Sequence, residues 1–147
     1  SDLFLDDDII VSTVDRDGYK DTARSTRRYF SSQPLVVLIN KGSASASEIL
    51  SGALKDNQRA ILVGENTFGK GLVQEVKSLS PFGAGLNITI QKYLTPNGTD
   101  INKKGIAPDI EVKITEQDIK DKNDVQLKKA QEILLQMIKN EKMSANR

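Results

Sequence analysis

Three side chains in this chain of 147 residues have the types and spacing for hydrolytic chemistry. The first is Ser45, in Gly42-Ser43-Ala44-Ser45-Ala46-Ser47-Glu48. It follows the apolar run Leu35-Val36-Val37-Leu38-Ile39 and sits where a segment of helical composition, Ala44 to Leu54, begins. A serine at a strand-to-helix junction exposes its hydroxyl beside helix N-terminal amides that have no intrahelical acceptor, and such amides can hold an oxyanion. The backbone N–H of Ala46 is the natural donor. As structure alone, Ser43, Ser45 and Ser47 are three candidate helix caps. The second is Lys70, between two glycines in Phe68-Gly69-Lys70-Gly71. That setting suits a side chain pointing into a confined site, where burial disfavours the ammonium and leaves an amine able to take a serine proton. It also suits an ordinary turn lysine. The third is Gln74. Even spacing along a strand puts Lys70, Leu72 and Gln74 on one face. A carboxamide oxygen there can accept a hydrogen bond from the lysine and aim it, although Gln74 also reads as a solvent-facing strand residue.

Two absences sharpen this reading. The chain has no histidine and no cysteine, which removes Ser-His-Asp triads, thiol nucleophiles, disulfides and histidine-bound zinc. Any base must be Lys, Asp, Glu or Tyr. The net charge of +1 carries no basic stripe, so no nucleic-acid partner is expected. No apolar run approaches the roughly 20 residues of a membrane span. No signal peptide is visible, and the chain opens on Ser1-Asp2-Leu3-Phe4-Leu5 without an initiator Met. It therefore reads as an excised piece, in which an upstream targeting segment would not be seen.

Other motifs carry less. Gly64-Glu65-Asn66-Thr67-Phe68-Gly69-Lys70 matches a phosphate-binding loop up to its lysine, but Gly71 stands where Ser or Thr would meet magnesium, and a strand pattern follows instead of a helix. Asp6-Asp7-Asp8 reads as a solvated acidic turn rather than a metal site. The sequons at Asn87 and Asn97 read as chance matches. No cofactor and no metal is expected.

The elements that must position these residues follow from the pattern. Ile9 to Val14 predicts a strand, Asp15-Arg16-Asp17-Gly18 a turn, and Tyr19 to Arg24 the return arm of a hairpin. Leu35 to Ile39 predicts a strand covered on both faces. The following helix is expected to turn Ala46, Ile49, Leu50 and Ala53 to one side. Ala60 to Val63 predicts a second buried strand, making a βαβ unit with parallel strands. Gly71 to Val76 and Leu86 to Ile90 predict two more strands around a turn at 80–85, and Ile110 to Val112 a last one. The segment Asp118 to Asp124 reads as a charged loop. Val125 to Lys142 predicts a helix with Leu127, Ala130, Leu134 and Met137 at helical spacing and Ile133 and Ile138 beside them, packed on the domain's own sheet. Ser144 to Arg147 should fray.

With these residues placed, the chain resembles the C-terminal processing (tail-specific) peptidases. Gly42 to Ile49 is similar to their nucleophile segment, and Gly64 to Gly71 followed by Gln74 to their lysine segment. Tyr93-Leu94-Thr95-Pro96-Asn97-Gly98 and Gly105-Ile106-Ala107-Pro108-Asp109 resemble later segments, so the likeness runs from about Ser1 to Val112. The resemblance implies Ser45 as nucleophile, Lys70 as general base and Gln74 as the residue that holds it. It implies an α/β, crotonase-like serine protease core: a mixed sheet with flanking helices and a C-terminal helix. Residues 1–116 would be the C-terminal part of the catalytic domain, and 117–147 a charged linker and a helix packed on it. It further implies protein or peptide substrates with exposed C-termini, no metal, and an extracytoplasmic site such as periplasm, cell envelope or thylakoid lumen. The family's PDZ-like domain has no counterpart here. Its second oxyanion donor, a glycine amide, would precede Ser1, which leaves open whether this piece is active alone. Oligomerisation is also left open. Two other expectations stand beside this one: an inactive scaffold binding partners through the C-terminal helix, and nucleotide binding at the Gly64–Lys70 loop.

Overall fold

The computed structural model of the chain describes residues 1–26, 31–79 and 83–145. The predicted hairpin is present as β1 (Ile9–Asp15) and β2 (Lys20–Arg24), paired antiparallel. Its turn closes on the Asp15 carboxylate, which accepts the N–H groups of Asp17 at 2.9 Å and Tyr19 at 2.8 Å. The predicted βαβ unit is β3 (Val36–Ile39), α1 (Ala46–Asp56) and β4 (Ile61–Gly64), with β3 and β4 parallel. Two long strands, β5 (Leu72–Leu79) and β6 (Ala84–Leu94), form a second antiparallel hairpin; most of the predicted turn between them, 80–82, lies outside the described residues. A short β7 (Ile110–Glu111) follows, then α2 (Glu116–Lys120) and α3 (Val125–Ala145).

Strands of both senses occur, divided between two sheets. One is antiparallel in the order β2-β1-β6-β5, and the other parallel in the order β3-β4-β7. The main core lies between them: Ile39, Leu62, Tyr93, Ile101 and Ile106, with Val11, Val37, Ile49 and Val73 against it. A second cluster of Leu5, Ala53, Leu54 and Ala60 packs under α1, and Val37 touches both. Fully burying a leucine such as Leu54 or Leu62 contributes about 1.5–3 kcal/mol.

Four expectations are corrected here. β3 is an edge strand, so Leu38 is exposed rather than covered on both faces. α1 buries Glu48, Ser51, Gly52, Ala53 and Leu54, while Ala46 is exposed. Of the expected face, Ala53 is buried and Ile49 and Leu50 pack against the two clusters; hydrophobic periodicity misses only the neighbouring Glu48, Ser51 and Gly52, which are polar or small. Gly52 lets Thr95 and Ile106 approach so closely that a Cβ would meet each at 3.1 Å. The charged segment after Val112 contains α2, capped by Thr115 and Asp118 in a reciprocal pair. The Thr115 hydroxyl, followed by its backbone N–H and the Asn123 amide, holds the Asp118 carboxyl below its ordinary value. Finally, α3 packs on β3 and β4 through Ala130 and Ile133, with Leu134, Met137 and Ile138 half-buried. Leu127 stays exposed, and Gln126 takes the buried place, its amide donating to the Val112 carbonyl at 2.7 Å. The helix runs on to Ala145, beyond the expected end at Lys142.

The parallel pair ends on Gly64, whose φ of +132° is foreign to residues with a Cβ; an added Cβ would sit 2.0 Å from the Ile39 carbonyl oxygen. Gly64→Ala is expected to cost about 2–4 kcal/mol, read as a lowered denaturant midpoint with an unchanged slope.

Candidate active site

Parallel pairing brings the C-terminal ends of β3 and β4 to the same side, where open α/β sheets usually bind ligands. The loop after β3 leads to Ser45, and the loop after β4 leads to Lys70. The first loop is an Asn turn. The Asn40 side-chain oxygen accepts the Gly42 N–H at 2.8 Å, its carbonyl accepts the Ser43 N–H at 2.8 Å, and its own N–H reaches the Ser43 hydroxyl at 3.1 Å. Ser43 therefore braces the turn. Ser45 is the N-cap of α1, its carbonyl accepting the N–H groups of Glu48 and Ile49 at 2.9 and 3.0 Å. It is half-buried and holds φ 56°, ψ −115°, a conformation that costs about 1–3 kcal/mol in a residue with a Cβ. Ala46 is the first residue of the helix, so its N–H belongs to the amides without an intrahelical acceptor.

The residue that ties the two loops together is Glu48. It is fully buried. One carboxylate oxygen accepts the Thr67 hydroxyl at 2.5 Å and the Gly69 N–H at 2.7 Å; the other accepts the Ser45 and Lys70 N–H groups, both at 2.9 Å. The Thr67 hydroxyl in turn accepts the Ile106 N–H at 2.7 Å, and the Phe68 N–H donates to the Ser43 carbonyl at 2.9 Å. Sequence reasoning quoted Glu48 within a motif and gave it no role. A signal was available: Ser45-x-x-Glu48 at the head of a helix is the spacing of a capping box.

Lys70 departs from the confinement expected for it. Its side chain is exposed. The crowding is in the backbone: a Cβ at Gly69 would lie 2.8 Å from the Gly105 nitrogen, and one at Gly71 2.7 Å from the Asn102 nitrogen. The flanking glycines thus admit the 101–105 segment, which also donates the Lys103 N–H to the Gly69 carbonyl at 2.8 Å. The lysine itself is left to line an open cleft of about 320 Å³ with Ser45, Leu72, Gln74, Val76 and Tyr93. The three candidates from sequence therefore share one cleft. Gln74 is exposed, and its amide nitrogen donates to the Thr89 hydroxyl at a long 3.4 Å, leaving the carboxamide oxygen toward other partners. Past Lys70 the chain enters β5, so the Gly64–Lys70 loop opens no helix of the kind that cradles a nucleotide's phosphates.

Asp100 steadies the supporting segment. Its carboxylate accepts the Asn102 N–H at 3.0 Å and pairs with Lys92 at 3.1 Å. The Asn102 N–H is the largest influence, and together with Lys92 it holds the carboxyl below its ordinary 3.8 against an upward push from burial. A depressed carboxyl stabilises the fold above its unfolded value and loses that contribution as pH falls through the folded one. Asp100→Asn is therefore expected to be less stable than the parent at neutral pH, with the gap closing in acid below 3.8 on parallel unfolding curves.

An α/β chain with a helix-capping serine beyond one parallel strand and a lysine beyond the next is the class that fold and site define. The profile of peptidase family S41 matches residues 1–112, and the chain belongs to that family of serine peptidases. Over 107 residues it is 54% identical to the carboxyl-terminal-processing protease of Synechocystis sp., covering 73% of this chain and 25% of that protein. Over 111 residues it is 46% identical to the chloroplastic C-terminal processing peptidase of Tetradesmus obliquus, covering 75% and 24%. Among solved structures it superposes on a photosystem II D1 C-terminal processing protease with a TM-score of 0.70 and 46% identity, over 76% of this chain and 29% of that one. The chain thus spans about a quarter of the length of these curated relatives. No helix among the described residues is long and apolar enough to cross a membrane.

Glu48→Gln keeps the shape of the tie but turns an NH₂ group toward two of its four donors. The expected loss is about 2–4 kcal/mol of stability, seen in denaturant unfolding.

Proposed function

We propose that this chain carries the catalytic groups of a serine endopeptidase that processes proteins near their C-termini. The observation that carries the reading is the Glu48 tie, which fixes the backbones of Ser45 and Lys70 to one carboxylate while both side chains line one cleft. In this mechanism the neutral Lys70 amine takes the Ser45 hydroxyl proton as the oxygen attacks a peptide carbonyl. The Ala46 N–H donates to the oxyanion. The lysine ammonium then gives its proton to the leaving amine, and water hydrolyses the acyl-serine ester with Lys70 again as base. Gln74 aims the amine through its carboxamide oxygen.

The same reading makes the core crotonase-like, with residues 1–116 as the C-terminal part of a catalytic domain and 117–147 as a charged linker and docked helix. Its substrates are proteins with exposed C-termini, and it needs no metal. Relatives named as chloroplastic support an extracytoplasmic site.

The test is cleavage of an unfolded reporter by this chain, and by an enzyme of full family length that carries it. Ser45→Ala and Lys70→Ala are each expected to lower turnover by about 10³-fold or more in a chain that still folds cooperatively. Lys70→Arg should be equally inactive, because a guanidinium does not give up its proton. Retained turnover in any of the three would sink the assignment.

A further inference from the structure

One polar side chain of the cleft has no part in the mechanism above. Tyr93 lines it beside Ser45, Lys70, Leu72 and Gln74. It is nonetheless a core residue, 8% exposed and clustered with Ile39, Leu62, Ile101 and Ile106. A ring close-packed among those four side chains has little room to shift. Its backbone is held as well, because Tyr93 stands opposite Thr13 where β6 pairs with β1. Tyr93 is therefore a fixed point on the boundary between core and cleft.

Both of its polar hydrogens go to β5. The backbone N–H donates to the Gly71 carbonyl at 2.9 Å, and the hydroxyl donates to the Leu72 carbonyl at 3.2 Å. Consecutive carbonyls of a strand point to opposite edges. One residue thus holds the strand from both sides, and it does so between Lys70 and Gln74. A buried phenol needs only some acceptor. The one taken here is the midpoint of Lys70, Leu72 and Gln74, the alternating positions of the proposed base and its orienting amide. Upstream of this hold, the Glu48 carboxylate accepts the Lys70 N–H at 2.9 Å. Downstream, the β5–β6 register shifts between Val73 and Gln74, and the Gln74 side chain reaches Thr89 at a long 3.4 Å. A ladder interrupted at that point bends and twists, so pairing with β6 does not by itself aim Gln74. The hold at Leu72, two residues earlier, does.

We propose that Tyr93 is a positioning residue for the Ser45–Lys70 chemistry: through the Leu72 carbonyl, its hydroxyl sets how Gln74 faces Lys70. The inference rests on the functional reading above and adds to it a residue that acts through the strand rather than on the reacting atoms.

The experiment measures turnover of the unfolded reporter by the enzyme of full family length that carries this chain. Tyr93→Phe keeps the ring in the core and removes the hydroxyl alone. It is expected to lower kcat about tenfold with KM nearly unchanged, because misplacement acts on the reacting groups and not on capture of the substrate. Since Tyr93 acts through Gln74, the Tyr93→Phe, Gln74→Ala double variant should be no slower than Gln74→Ala alone. Ile133→Ala, which empties a buried site in α3, should lower stability and keep kcat. An unchanged kcat in Tyr93→Phe, additive losses in the double variant, or an equal loss of kcat in Ile133→Ala would each overturn the proposal. Absence of turnover in the parent would bring down the proposed function alone, and amide exchange in this chain then decides the role of Tyr93. Exchange at the Val73 amide about tenfold faster in Tyr93→Phe, with the β1–β2 amides unchanged, would uphold the hold on β5. Unchanged exchange at Val73 would overturn it.

Discussion

The buried carboxylate of Glu48 is the constraint on which the rest of this site depends. Placing a charge out of water costs several kcal/mol unless hydrogen bonds replace its hydration. Here three backbone amides and one hydroxyl do so, and the group also lies at the N-terminal end of α1, where the helix dipole favours negative charge. All four donors are neutral. The carboxylate therefore recruits the backbone of Lys70 and not its ammonium, and the amine remains for the cleft. A salt bridge at this point would have tied up the group that the proposed chemistry needs.

The same carboxylate accounts for the strain at Ser45. A non-glycine residue at φ 56° persists where its surroundings over-determine it. The Ser45 carbonyl is taken by the first turn of α1 and its N–H by Glu48, so both of its backbone polar groups are committed. The two sheets divide the remaining work. The parallel one delivers two loops to the same side, and the antiparallel one supplies the wall. The extra residue in β6 marks where that wall leaves the core: Val73 before it packs on the main cluster, and Gln74 after it is exposed. A bulge bends its strand and increases local twist, which fits an arm that starts in the core and ends in solvent.

Much of this was legible in the sequence because apolar runs and turn residues report local structure directly. The β3-α1-β4 unit and the first hairpin follow from Leu35 to Ile39, Ala60 to Val63 and the Asp-Gly turn. Ser45, Lys70 and Gln74 could be singled out because histidine and cysteine are absent. What escaped was long-range. The pairing of β1 with β6 joins segments about eighty residues apart, and no local pattern announces it. The polar part of the buried face of α1 escaped because Glu48 and Gly52 look like solvent-facing residues until their partners at Thr67, Thr95 and Ile106 are known, whereas Ile49, Leu50 and Ala53 pack as their spacing suggests. In α3, Gln126 displaced Leu127 from the buried stripe because the Val112 carbonyl needed a donor.

The reading of Lys70 shows where such inference turns. Glycines on either side suggested a cramped side chain, and the crowding proved to belong to the backbone. The distinction matters for mechanism. A lysine confined by its own domain would be poised at all times. One held by its backbone alone has its side chain in an open cleft, where an occupant can meet it. In the proposed mechanism that arrangement leaves the amine facing the same cleft as the Ser45 side chain, while one carboxylate, that of Glu48, holds both backbones.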